Sequence, residues 1–247
     1  MPLLAVAEVR MIAVGDRSLS LNCEGTRGAG AVAILLAGGG RTAADWAKVQ
    51  PEVAKFTRVC SYDRAGLGKS EKSAQQQSAG EIIEDLHALL AAAGEKGAYV
   101  LVGHSIAGIF ARRYGDKYPK EVAGYVFVDS SHEEQALRFH DIDSSGPAPG
   151  ADAERMGLLI KAGEKSAWHT DRPVIVLSRG KPTPKSAMPK LTEEQVAQID
   201  RAWQQMQEDL AKRSPRGQVR SGEKSGHFVH VDEPELVIAA IRELCVK

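Results

Sequence analysis

The chain is short of the features that mark the more specialised protein classes. Its three cysteines, Cys23, Cys60 and Cys245, form no CxxC pair and show no metal-ligand spacing. An odd count fits buried thiols in a reducing compartment better than a disulfide framework, and leaves open whether Cys23 and Cys60 are bridged. Neither charge is in excess, with 32 basic side chains against 32 acidic ones. Nucleic acid and anionic membrane surfaces are bound through clustered positive charge, so neither is an expected partner. Long apolar runs are also missing: Ala31 to Gly40 and Ala98 to Gly103 fall well below the roughly 20 residues that span a bilayer, and no integral membrane segment is expected. The apolar start, Met1 to Ala7, has no basic region and turns polar at Glu8, which is too short for an intact signal peptide. The expectation is cytoplasmic, with a secreted protein whose leader has been trimmed as the other reading.

What is present is 247 residues, 43% hydrophobic and 26% charged, enough to bury a substantial core without metals or disulfides. Apolar runs of strand length alternate with longer helical patterns, the signature of an α/β fold with a mostly parallel sheet covered on both faces. Val9 to Val14 and Leu19 to Asn22, joined at Gly15-Asp16, read as an antiparallel hairpin. Parallel strands are expected at Val32–Leu36, Thr57–Tyr62, Tyr99–Val102, Tyr125–Val128, Val174–Leu177 and Gln218–Ser221. Capping boxes, in which a hydroxyl and a carboxyl or amide three residues on satisfy each other's backbone amides, open helices at Ser78/Glu81 and Thr192/Gln195. The first helix carries Ile82, Ile83, Leu86, Leu89 and Leu90 on one face, and the second Val196, Ile199, Trp203, Met206 and Leu210, stripes that read as core packing. Residues 131–172 break the alternation around Gly146 to Gly150. They read as a short cap inserted into a single domain spanning 1–247.

The sharpest chemical signal is Tyr99-Val100-Leu101-Val102-Gly103-His104-Ser105-Ile106-Ala107-Gly108, an apolar strand running through a small-residue turn into a helix. A serine on such a turn needs small neighbours two residues to either side, which Gly103 and Ala107 supply, so that its Oγ projects into a cleft. The following helix start presents amide donors where an oxyanion would form. The plain alternative is a buried serine capping an ordinary helix. A serine nucleophile needs a base that is itself oriented by an acid. Of seven histidines, His227 is the expected base, because Ser225-Gly226-His227-Phe228 follows the last strand and precedes the helix that Pro234 opens. His230 is its local competitor, and His104, beside the serine, points away from it. The loop after Val174–Leu177 has no carboxylate before Glu193, whereas the strand Tyr125–Val128 ends directly in Asp129. Asp129 is therefore the expected acid, with a helix cap as its structural alternative and Asp63 as the fallback. The Gly-rich stretch Ala37 to Gly40 offers a second oxyanion amide, placed at Gly39 alongside that of Ile106.

Taken in order, Ala37 to Gly40, Trp46 with Val49-Gln50, Tyr62 to Ser70, Gly103 to Gly108, Val128 to His132 and Ser225 to His227 resemble the motifs of small esterase-like members of the α/β-hydrolase superfamily. The likeness runs over about residues 9–246. It implies Ser105 as nucleophile, His227 as general base, Gly39 and Ile106 as oxyanion donors, and an acid at Asp129 as in some relatives. Ala37 stands where many members have histidine, and Ala107 replaces the elbow's second glycine. The implied activity is a cofactor-independent serine hydrolase cleaving a carboxylic ester of a small molecule through an acyl-enzyme.

Three other readings compete. A dinucleotide site fits Gly38, Gly40 and Ala43 with Asp63 as the ribose acid, but Pro51 interrupts its helix and the serine elbow is left unexplained. Gly66 to Ser70 resembles the end of a P-loop but lacks its first glycine. A catalytically silent ligand-binding protein of the same fold would be expected to have lost the serine or the histidine, and both are present. No metal site is expected, since His227 and His230 have no third ligand at metal spacing. Oligomeric state is not readable.

Overall fold

Strand and helix alternate along the chain as the apolar pattern requires. The structure, a computed structural model, describes residues 8–145, 148–158 and 168–246. Met1 to Ala7, part of the expected cap, and Gly146-Pro147 lie outside the described residues. The strands are β1 (Glu8–Val14), β2 (Arg17–Glu24), β3 (Val32–Leu36), β4 (Val59–Tyr62), β5 (Tyr99–His104), β6 (Val122–Val128), β7 (Val174–Arg179) and β8 (Gly217–Gly222). The helices are α1 (Gln50–Val53), α2 (Ala79–Ala92), α3 (Ala107–Lys117), α4 (Gln135–Ile142), α5 (Ala151–Arg155), α6 (Glu193–Lys212), α7 (Val229–Asp232) and α8 (Pro234–Cys245).

The strands form one sheet in the order β1-β2-β4-β3-β5-β6-β7-β8. The β1–β2 hairpin is antiparallel and joins β4 antiparallel through β2, and every other pairing is parallel. Both faces are covered. Along β3, Val32, Ile34 and Leu36 enter one apolar cluster with the inner faces of α2 and α3, while Ala33 and Leu35 enter a second with Trp46 and the inner face of α8. This follows from the two-residue period of a strand, and explains why the parallel strands read as unbroken apolar runs. Both capping boxes form, Ser78 with Glu81 and Thr192 with Gln195. The two apolar stripes are buried in full, each side chain contributing about 2 kcal/mol of hydrophobic stabilisation.

The register of β2 on β4 sets Cys23 opposite Cys60, and the two sulfurs are bonded. This corrects the expectation of buried free thiols, which now holds for Cys245 alone. The expected cytoplasmic location drew on free thiols, so the pair removes part of its ground. Among the described residues no helix is long and apolar enough to cross a membrane.

Candidate active site

Strand β5 ends at His104 and α3 begins at Ala107, so Ser105 sits on the bend between them with φ +54°. A non-glycine residue held at positive φ is strained and has to be fixed by its surroundings. Ser105 N–H donates to the Val128 carbonyl at 3.1 Å, and its own carbonyl accepts from the Gly108 and Ser131 amides at 3.0 Å each. Close packing accounts for the small residues. A Cβ at Gly103 would stand 2.7 Å from the Ala107 carbonyl oxygen, and one at Gly108 would overlap the Ser130 hydroxyl. Ala107, by contrast, is accommodated in the core. Ile106 is the N-cap of α3, so its amide has no partner within the helix.

Asp129 follows β6 directly, is fully buried and also has positive φ, +40°. Its Oδ2 lies 2.6 Å from His227 Nδ1 and accepts from Arg179 Nη1 at 3.2 Å. Its Oδ1 accepts from Trp203 Nε1 at 2.8 Å and from the Arg179 amide at 3.1 Å. A carboxylate on Nδ1 puts the imidazole proton there and leaves Nε2 as the lone-pair nitrogen. Among the described residues Ser105 Oγ makes no hydrogen bond to that nitrogen; contacts of this kind often tighten only when a substrate is bound. Strand β7, whose following loop contains no acid before Glu193, ends in Arg179, the partner of the acid. Arg179 is in turn held by Asp200 at 2.8 Å. Asp63, the fallback acid, is occupied elsewhere: its carboxylate accepts from the amides of Ala43 and Lys69 at 2.8 and 3.0 Å, tying two loops together.

Gly39 faces the elbow, a Cβ built on it lying 3.7 Å from Ile106 Cγ2. The loop that carries it is held from below by Arg64, whose buried guanidinium donates to the carbonyls of both Ala37 and Gly38. Burial lowers the pKa of this guanidinium, partly offset by Tyr62 and Asp63. No sequence pattern indicated this use of Arg64. Beside Gly39 and Ile106 opens a cavity of about 470 Å³ walled by Leu67, Ile82, Phe110 and Met156, with Lys72 and Arg155 at its polar edge. Behind Asp129, Gln207 brackets Ser130 through its amide and carbonyl at 3.2 and 2.8 Å. Arg112 and Arg213 grip Glu133 at 2.7 and 3.1 Å. Burial alone would raise the Glu133 carboxyl, but the two guanidiniums and His132 outweigh it and bring it down to about 2.

His104 does turn away from the serine, and it has a partner of its own: its Nε2 lies 2.9 Å from the His227 carbonyl oxygen. Burial, with the neighbouring His230 and His227, brings His104 down to about 2, so it is a neutral imidazole.

This fold and elbow can be set beside known proteins. Residues 33–240 match the alpha/beta hydrolase family. The chain belongs to that family. A curated relative, the uncharacterized protein YqjL of Bacillus subtilis, is 25% identical over 222 residues, which cover 87% of this chain and 83% of that one. Among solved structures, a probable hydrolytic enzyme from Pseudomonas aeruginosa superposes with a TM-score of 0.68 at 20% identity, covering 96% of this chain and 93% of that one. The esterase EaEST from Exiguobacterium antarcticum gives a TM-score of 0.68 at 13% identity, covering 96% and 98%. As an alpha/beta hydrolase with esterases among its structural neighbours, the chain has the scaffold of a hydrolytic enzyme.

Proposed function

We propose that this alpha/beta hydrolase is a serine esterase that cleaves a carboxylic ester of a small molecule through an acyl-enzyme. The observation that carries the reading is the 2.6 Å contact of His227 Nδ1 with the buried Asp129, made next to a serine held at positive φ at the head of α3. In this reading His227 Nε2 takes the Ser105 hydroxyl proton as Oγ attacks the ester carbonyl. The amides of Gly39 and Ile106 receive the developing oxyanion, where a positive helix end adds to them. Asp129 keeps the proton on Nδ1 and stabilises the imidazolium that forms. The imidazolium then gives its proton to the departing alcohol, leaving an ester between Ser105 and the acyl group. Water, deprotonated by the same Nε2, attacks that ester and releases the acid.

In this reading the described part of residues 131–172 serves as a short cap beside the site. Its helix α5 and the residue after it bring Arg155 and Met156 to the cavity beside Gly39 and Ile106, which serves as the acyl pocket. The volume of about 470 Å³ and the apolar walls suit a short to medium acyl chain. The test is hydrolysis of p-nitrophenyl esters of graded acyl length. The expected result is turnover with an optimum at short to medium chains, preceded by a p-nitrophenol burst equal to the enzyme concentration and lost in Ser105→Ala. Turnover that persists in Ser105→Ala would assign the chemistry to another group.

A further inference from the structure

Beside the carbonyl of His227 lies a second group of buried polar side chains for which the proposed reaction has no use. Asp45, in the turn after β3, His104, at the end of β5, and His230, in α7, each bring one ligand atom to a common space, all within 4.8 Å of one another. The two imidazoles are 1% and 0% exposed. Yet His104 Nδ1 and both nitrogens of His230 have no hydrogen-bond partner among the described residues. Trp46 Nε1 is in the same position, and its ring lies 4.6 Å from that of His230. Buried polar atoms are almost always paired, and each one left bare costs about 1–3 kcal/mol. The bare His104 and His230 nitrogens, gathered with Asp45 around one space, call for an occupant; the Trp46 N–H is a donor only and is not part of that set.

The hydrogen bonding already in place selects the kind of occupant. His104 Nε2 is engaged by the His227 carbonyl at 2.9 Å, and a carbonyl can only accept, so the His104 proton is on Nε2 and the lone pair is on the free Nδ1. A metal-bound imidazole is oriented in this way, its outer N–H donated to a carbonyl and its inner nitrogen turned to the ion. Gly38 keeps the approach open, since a Cβ there would come within 2.7 Å of His104 Nδ1. The carboxylate is steadied too. Asp45 accepts from Arg41 on both oxygens, Oδ1 at 2.6 Å and Oδ2 at 2.7 Å, and Oδ2 stands 3.8 Å from His230 Nε2.

We propose that Asp45, His104 and His230 form a binding site for one divalent transition-metal ion of the zinc class, with a fourth position left to water. Two imidazoles and one carboxylate make a donor set that suits zinc and its neighbours and not calcium or magnesium, which take oxygen ligands. A tetrahedral zinc ion holds its donors about 3.3 Å apart, so the site contracts on binding from its present span of up to 4.8 Å. The ion would join three segments that border the proposed catalytic residues: the turn beyond the Gly39 loop, the residue before Ser105, and the helix after His227. Its role is to clamp them, and no reaction step passes through it.

The test uses the full chain without an affinity tag, stripped with chelator, loaded with zinc chloride, desalted and analysed by elemental mass spectrometry. Wild type is expected to retain one zinc per chain, and His230→Gln and Asp45→Asn less than about one tenth of that. Cobalt chloride in place of zinc is expected to give the visible bands of four-coordinate cobalt in wild type and not in those two variants. Arg41→Ala removes a competing cation and is expected to tighten binding severalfold. Saturating zinc is expected to raise the wild-type Tm by about 5–10 °C, a readout that does not depend on how the variants fold. Less than about one tenth equivalent in wild type, no shift in Tm, or equal retention by folded His230→Gln overturns the proposal. Fluorophosphonate labelling of Ser105 in the same samples reports separately on the hydrolase reading.

Discussion

Two groups of buried side chains meet the His227 segment, and they treat polar atoms withdrawn from water in contrary ways. Around Asp129 each carboxylate oxygen has two donors, from Arg179, Trp203 and His227. Around His230 neither nitrogen has any. The first group is completed by the chain itself, from three elements brought together by the sheet, so its geometry is set before a ligand arrives. The second leaves three imidazole nitrogens bare beside one carboxylate, itself held by Arg41, and in the proposal above it is completed by an ion from outside. Preorganisation is the property expected of an acid that must hold a histidine through a reaction. Incompleteness is the property expected of a binding site.

Five changes test how far the chain's own polar partners, around Asp129 and around the neighbouring Glu133 and Arg64, set the geometry in advance. Asp129→Asn replaces the acceptor facing His227 Nδ1 with an amide and favours the wrong tautomer, so kcat is expected to fall by about 10⁴. Steady-state kinetics on a p-nitrophenyl ester check this, and near-normal kcat would remove Asp129 from the triad. Next is Glu133→Gln, which strips the carboxylate from Arg112 and Arg213 and is expected to cost on the order of 3 kcal/mol at neutral pH. Because the folded-state pKa of Glu133 lies near 2, below its ordinary 4.5, this stability is fully present above about pH 4.5 and is lost as pH falls toward 2. Denaturant melts of wild type and variant should therefore differ most near neutrality and converge in acid; a constant gap would contradict the assignment.

Smaller effects probe the loops. Arg64→Met frees the carbonyls of Ala37 and Gly38, and kcat is expected to drop about 30-fold with KM nearly unchanged, since an oxyanion donor acts only in the transition state. Arg64→Lys should not restore it, because an ammonium lacks the fork that spans two carbonyls. Trp203→Phe removes one of the donors to Asp129 and is expected to lower kcat about fivefold, near 1 kcal/mol. A loss as large as that in Asp129→Asn would mean that the carboxylate depends on one partner rather than several.

Much of this was legible in the sequence because it is local. The strands, both capping boxes and the elbow are written in runs of neighbouring residues, and Asp129 stands out as a candidate because β6 ends directly before it. The candidate residues Ser105, Gly39 and Ile106 share one edge of the sheet for the same reason, each lying just beyond the end of a parallel strand. What was not legible depends on how strands are ordered and paired. Cys23 meets Cys60 only because β2 lies on β4 in that register, and no spacing encodes it. Arg179 reaches Asp129 because β7 pairs with β6. His230 lacks a third ligand in the linear sequence, while the fold brings both Asp45 and His104 to it. Such contacts are set by strand order and side-chain direction, which a single sequence does not display.

The most direct test of the central claim, that Ser105 is a nucleophile activated by His227 and Asp129, is labelling with a fluorophosphonate followed by intact mass and peptide mapping. One stoichiometric adduct on Ser105 is expected in wild type, with none in Ser105→Ala and labelling slowed by orders of magnitude in His227→Ala and Asp129→Asn. A folded wild-type protein that takes no adduct, or takes it on another residue, would contradict the claim and leave a ligand-binding protein of the alpha/beta hydrolase fold as the better description.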